Sequence, residues 1–421
     1  MNLIPGALKI AFRSLARRKF YTFVSLFGIA FTLLVLLVAA AFMDHTIGSD
    51  PPETRAYRSL YLTRTCLSGA DQTRTSGAGY GFLDKEVRNL PGAESVSLFT
   101  MPNDAVSYIN GVKIKSRLKR VDGAFWSILD MRFLEGAPFT DEDDRNARSV
   151  AVINATTRNR FFGGAPALGR AIEIAGQTLT VVGVVEDVSW LRAMVSSDVY
   201  APIGTIPGEG WRRETQGNFA AMILARSPED FPALRSELRS RVKRYPIPDL
   251  KMFTSFSAPA DTMFGIAARS FAGDIDEDEN APGLSASAKF ALFLAGAALL
   301  FMTLPAINLI NVNLSRVLER APEIGVRRAF GATRSRLVGQ FVVENIALTL
   351  VGGAIAAVLA SLVLAAVTAS GVIPYARLSV NVTVLLWGLA ASLVFGLLSG
   401  VLPAWRMSRL HPVEALRGQR S

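Results

Sequence analysis

Four uncharged apolar runs constrain this chain more than anything else in it. They cover residues 20–43, 290–312, 346–373 and 382–402. Each exceeds the roughly 20 residues that a helix needs to cross a bilayer core of about 30 Å. One charge at mid-span would cost about 2.5–3.5 kcal/mol on insertion, and none of the four runs carries one. The expected fold is integral membrane α-helical, with four transmembrane helices. The first run ends near Ala39-Ala40-Ala41, which looks like a cleavage site. It is far longer than the apolar core of about 7–15 residues in a signal peptide, so it reads as an uncleaved anchor.

Charge sets the expected orientation. Residues 1–19 carry Lys9, Arg13, Arg17, Arg18 and Lys19 and no acid. After the second run come Arg316, Arg320, Arg327, Arg328, Arg334 and Arg336 against Glu319 and Glu323. The tail carries Arg406, Arg409, Arg417 and Arg420 against Glu414. These three stretches hold 15 basic and 3 acidic residues, and the rest of the chain holds 30 and 32. Basic residues flanking apolar helices mark the cytoplasmic side. Both termini and the second connecting segment are therefore expected inside, and residues 44–288 outside. The basic pI follows from topology, and no nucleic-acid partner is implied.

The outer region, about 245 residues long, is large enough to bury its own core. Its one cysteine, Cys66, allows no intramolecular disulfide and reads as a buried or incidental thiol. Val112, Ile114, Leu118 and Val121 alternate roughly as in a strand. Residues 149–153 read as a strand running into a helix through 162. Residues 171–174 and 178–185 read as a hairpin turning at Gly176. Strands at 219–224 and 251–256 flank an amphipathic helix at 228–242. This suggests a large α/β extracytoplasmic domain with a smaller lobe at roughly 200–258.

The expected division is an amphipathic interfacial helix over 1–19, transmembrane helices over 20–43, 289–312, 342–373 and 382–403, and the outer domain over 44–288. A cytoplasmic segment fills 313–341, a short outer loop 374–381 and a cytoplasmic tail 404–421. The first and second spans are expected to be the only mechanical connection between the outer domain and the membrane. The five acids within 274–279 read as a solvated linker.

The segment 313–341 holds more than topological charge. Pro322 suits a first helical position, and Glu323 complements a helix N-terminus. Glu323 and Arg327 are spaced for an i, i+4 pair, and Gly331 is a natural C-cap. A plain basic loop explains the arginines but not Pro322-Glu323-Ile324-Gly325 or Phe330-Gly331-Ala332.

Four stretches in order carry a family resemblance. They are LKIAFRSLARRKFYTFVSLFGIA at the start, then VDGAFWSILDMRFLEGAPFTDED with SVAVINATTRNRFFGGAPALGRAIEIAGQTLTVVGVVEDV, then ERAPEIGVRRAFGATRSRLVGQFVVENIALTLVGG, and finally LPAWRMSRLHPVEALRGQ. With these the chain resembles the MacB/FtsX-like ABC-transporter permeases, including a MacB-like periplasmic core domain. The departures are His411, where an acidic or amide residue is common, and the acidic linker.

The resemblance implies a bacterial inner-membrane permease and a coupling helix docking on a separate ABC ATPase. It places that helix on Pro322, Glu323, Ile324, Gly325, Arg327, Arg328, Ala329, Phe330 and Gly331. ATP and Mg belong to the partner ATPase, and no cofactor or catalytic residue is expected in this chain. A second permease copy, as homodimer or close paralogue, is implied. A periplasmic adaptor and outer-membrane channel are left open. The implied work is mechanotransmission that exports a small molecule, peptide or lipid-linked substrate. Two alternatives share the topology: an FtsX-like regulator of a cell-wall hydrolase or of signalling, and a lipoprotein-release permease.

Other chemistry finds little support. Residues 164–170, GAPALGR, mimic a phosphate loop, but Arg170-Ala171 replaces the required Lys and Ser/Thr. His45 and His411 are expected on opposite sides of the membrane and share no metal site. Residues 141–144 are acidic without calcium-loop spacing. Asn308, Asn311 and Asn313 are expected to hydrogen-bond neighbouring helices or the interface, with substrate contact as the alternative, and Pro305 to kink the second span.

Overall fold

The computed structural model describes residues 19–109, 112–273, 284–319, 334–376 and 378–408. In chain order its principal helices are α1 (Lys19–Ile47), α2 (Ala124–Ile128), α3 (Ala155–Phe162), α4 (Phe231–Arg244), α5 (Met263–Ala272), α6 (Ala286–Glu319), α7 (Arg334–Ser370) and α8 (Val382–Ser408). The chain divides into two compact units. One comprises residues 1–44, 292–370 and 378–421, and the other 45–291 with 371–377.

The first unit is a set of apolar helices. Among the described residues, Thr22–Ile47, Ala286–Thr303 and Val342–Ser370 are long and apolar enough to cross a membrane, and α8 is apolar over Val382–Val394. One face of α1, with Ile29, Leu33 and Leu37, packs on Leu348, Ala356 and Ala360 of α7 and on Leu385 and Leu389 of α8. Another face carries Phe23, Phe27 and Phe31 at i, i+4 steps, their rings stacked with centroids 6.1 and 5.7 Å apart. The hydroxyl of Thr32 donates to the Gly28 carbonyl at 2.9 Å, so its polar group is satisfied within the helix.

The second unit is built on one mixed sheet. Its strands are β1 (Ser59–Leu62), β2 (Thr65–Ser68), β3 (Thr73–Ala78), β4 (Ala93–Thr100), β5 (Asn103–Ile109), β6 (Val112–Val121) and β7 (Phe133–Gly136). They continue with β8 (Val150–Asn154), β9 (Ala171–Ile174), β10 (Gln177–Val185), β11 (Val199–Pro202), β12 (Gln216–Gly217), β13 (Phe219–Ala225) and β14 (Ser255–Ser257). The order is β14-β2-β3-β13-β4-β6-β11-β8-β10-β7, with β1 on β13, β12 on β3, β5 on β6 and β9 on β10. Among the described residues, only β11–β6 and β10–β8 are parallel.

Strand β13 shows why the sheet has two buried faces. All seven of its residues are buried. Phe219, Ala221, Ile223 and Ala225 enter one core with Leu60, Leu62, Leu234 and Leu238, so residues from both halves of the domain share it. The intervening Ala220, Met222 and Leu224 enter a second core with Tyr61, Phe99, Phe125, Trp126 and Tyr200. An apolar run without alternation is the pattern of a strand covered on both sides.

Local chemistry fixes the remaining elements. The β9–β10 hairpin turns on Ala175 and Gly176, at φ 51° and 73°, the pair of left-handed residues that a tight hairpin needs. Asn154 caps α3 by accepting from the Thr157 amide at 2.7 Å, and Gly163 ends it at φ 63°. Leu234, Leu238 and Val242 recur at i, i+4 steps as the buried stripe of α4.

Candidate functional site

The expected coupling residues, Pro322 to Gly331, lie outside the described residues, as do residues 1–18, 274–283 and 409–421. On either side of the coupling segment the described chain stops at Glu319 and resumes at Arg334. What the structure does place is how the inserted domain grips the chain beside its helices.

The first grip holds the segment that directly follows α1. Strand β10 ends at Val185, and the loop after it turns through backbone bonds from Arg192 to Ser189 (3.0 Å) and from Val195 and Ser196 back to Arg192. This brings the Arg192 side chain inside, where the residue is 1% exposed. Its Nη1 donates to Glu53 Oε2 at 3.0 Å and to the Gly48 carbonyl at 3.3 Å. Its Nη2 lies 3.6 Å from Asp50 Oδ2. One guanidinium thus holds three points within residues 48–53.

Two more groups complete this buried cluster. The Tyr61 hydroxyl donates to Glu53 Oε1 at 3.2 Å. Lys119, on β6, donates to the carbonyls of Ala193 and Met194 and sits 5.0 Å from the Phe99 ring centroid. Burial pushes the Glu53 carboxyl up, against the charge and hydrogen bond of Arg192. Burial pushes the Lys119 ammonium down to about 7; Glu53 opposes that fall and Arg117 adds to it. Burial likewise holds the Tyr61 phenol well above its ordinary value.

The second grip holds the approach to α6. Tyr61 N–H donates to the Asp261 carbonyl at 2.7 Å, and Asp261 N–H returns a bond to Tyr61 at 3.0 Å. The Asp261 carboxylate accepts from Arg269 Nε at 2.6 Å and Nη2 at 3.3 Å, which ties α5 to the sheet. From α5, Phe264 and Phe271 pack against Phe290 near the start of α6, with centroids 5.4 and 5.2 Å apart.

A third attachment corrects the expectation that the first two spans alone join the outer domain to the membrane. Residues 371–377, the loop between α7 and α8, belong to the same compact unit as the inserted domain. Tyr375 hydrogen-bonds Thr156 at the start of α3, and Ala376 is buried. Tyr375 also lines a cavity of about 220 Å³ together with His45, Pro52, Asp187 and Arg192.

The other sequence candidates find structural uses. In GAPALGR the Ala167 amide donates to Glu135 and the Gly169 amide to the Val181 carbonyl. Residues Asp141–Arg145 form a helical turn closed by a capping box between Thr140 and Asp143. Asp144 accepts from the Gly204 amide at 2.8 Å. Cys66 is buried in β2. Among the described residues no group of three His, Cys, Asp or Glu side chains could hold a metal ion. The side chains of Asn308, Asn311 and Asn313 lie outside those described.

Residues 22–241 match the family model for the MacB-like periplasmic core domain, and residues 295–412 that for the FtsX-like permease C-terminal region. The uncharacterized ABC transporter permease YvrN of Bacillus subtilis is 24% identical over 335 residues, 79% of this chain and 78% of that protein. The macrolide export ATP-binding/permease protein MacB of Hahella chejuensis is 27% identical over 331 residues, 77% of this chain but only 46% of that protein. The periplasmic region of MacB from Actinobacillus actinomycetemcomitans covers 56% of this chain and 97% of its own, at 13% identity and a TM-score of 0.37.

Proposed function

The chain belongs to the MacB/FtsX-like family of ABC-transporter permeases, and from that premise we propose that it is a permease subunit working by mechanotransmission. ATP is hydrolysed on a separate ATPase subunit bound at residues 322–331. The helices carry the resulting movement to the extracytoplasmic domain. Two copies of the permease act together, with four spans each and both termini in the cytoplasm. The movement exports a small molecule, peptide or lipid-linked substrate.

The observation that carries this reading is the double grip. Arg192 fastens the chain just after α1, and Asp261 with Arg269 fastens α5, the helix that packs on Phe290 near the start of α6. Both bind through charge-assisted hydrogen bonds, which are the strong ones, the first buried and the second partly buried. A domain that served only as a passive receptor would need neither tether held so firmly.

The test is enzymatic. The purified chain should raise the ATPase rate of its cognate ATPase in a bilayer, and Phe330→Asp should abolish that stimulation. A complex that forms and hydrolyses ATP normally with Phe330→Asp would overturn the coupling role of residues 322–331.

A further inference from the structure

One residue belongs to both grips. Tyr61, in the middle of the four-residue strand β1, gives its hydroxyl to Glu53 and its backbone to Asp261. Glu53 is held by Arg192, which also holds Gly48; Asp261 is held by Arg269 on the helix that packs on Phe290. The Tyr61–Asp261 pairing is an isolated bridge outside the regular strands. Tyr61 itself is 1% exposed and pairs with Met222 of the central strand β13. A continuous path of hydrogen bonds therefore runs from the segment after α1, through one side chain and its own backbone, to the segment before α6.

We infer that Tyr61 is a positioning residue that locks the two chain crossings together, so that displacement of either shifts the other. A buried phenol needs a hydrogen-bond partner, and a buried carboxylate needs its charge met. Here Glu53 accepts the Tyr61 hydroxyl, and Arg192 meets the carboxylate's charge. Strand β1 is too short to yield independently, and its other edge is fixed by β13. The meaning of this lock for export rests on the transmission reading; the lock itself does not.

Full-length protein in lipid nanodiscs, without any ATPase, tests it by hydrogen–deuterium exchange. Arg192→Lys loosens the first grip, and the amides of residues 259–272 are read at the second. Loss of a hydrogen bond to a charged group changes an opening equilibrium by about tenfold or more, so exchange there should rise at least about tenfold. Asp261→Asn is the reverse experiment, read at residues 48–58. In a Tyr61→Phe background, each perturbation should still act on its own segment, and the distant response should vanish.

Amides of β13 report global opening and should stay unchanged. If Arg192→Lys accelerates them as well, Glu53→Gln replaces it as the gentler perturbation. No distant response with the native tyrosine, or a distant response that persists with Tyr61→Phe, overturns the inference. With the cognate ATPase added, Tyr61→Phe should keep ATPase stimulation and lose the nucleotide-driven change in exchange over residues 259–272. If the native chain stimulates no ATPase, the proposed function fails, and the result of the ATPase-free experiment still decides the lock.

Discussion

At the scale of single residues, the domain tolerates the burial of Arg192 and Glu53 because each meets the other's charge. Removing one member of a buried ion pair typically costs about 3–5 kcal/mol, because the partner is left uncompensated. Arg192→Met should therefore destabilise the full-length protein by about that amount in denaturant titrations. Arg192→Met combined with Glu53→Gln should recover much of the loss, since no charge remains stranded; an additive double variant would refute the pairing. Lys119 makes a prediction about pH. Its folded value of about 7 lies below its ordinary value of 10.5. Its contribution to stability is therefore full above 10.5 and is lost as pH falls through the folded value near 7. The denaturation midpoint should drop between pH 10 and pH 7, and Lys119→Met should flatten that slope. Equal slopes in the two proteins would rule out Lys119 as the source. None of these residues was visible as a site in the sequence. Glu53, Tyr61, Arg192 and Asp261 are scattered over more than 200 positions. They form no motif, and only the folded sheet brings them together.

At the scale of elements, the paired glycines Gly352 and Gly353 place α7 between α1 and α8. A Cβ on Gly352 would meet Ile29 Cγ2 at 2.8 Å and Ile29 Cβ at 3.1 Å. One on Gly353 would meet the Leu389 Cδ2 at 2.2 Å. The shorter distance should be the milder clash, because a leucine end can swing aside while β-branched Ile29 is stiff within a helix. Gly352→Ala should therefore slow disulfide formation in a Leu33→Cys, Gly388→Cys reporter more than Gly353→Ala does. The opposite ranking would refute this packing account. Elements whose periodicity matched their burial were legible: the β9–β10 hairpin, β8 running into α3, β13, and the stripe of α4. Others were not. Thr73-Arg74-Thr75 of β3 are exposed and polar, and they are strand because β2 pairs with that segment, Ser68 with Thr73 through Cys66 with Thr75. Of the run read as a strand over 251–256, only its end joins β14. Asp249, at φ 54°, opens a turn whose carbonyl takes the amides of Met252 and Phe253.

At the scale of the whole molecule, the distribution of charge makes the sharpest remaining claim. The net charge of +10 arises in three stretches that adjoin apolar helices, while the inserted domain and the rest are close to neutral. Basic residues beside a spanning helix resist transfer across the membrane, so all three stretches should stay on one side and residue 240 should lie on the other. Ser240 is exposed on α4, which makes Ser240→Cys reactive wherever the domain is reachable. Ser335→Cys sits among Arg334 and Arg336. The native Cys66 is buried, 1% exposed, and should stay silent toward a maleimide in the folded protein. In intact cells with a permeable outer layer, an impermeant maleimide should label Ser240→Cys and leave Ser335→Cys untouched. Opening the inner membrane should make the second react. Labelling of Ser335→Cys from outside would invert the molecule. It would put residues 322–331 out of reach of any cytoplasmic ATPase and end the transmission reading together with the topology.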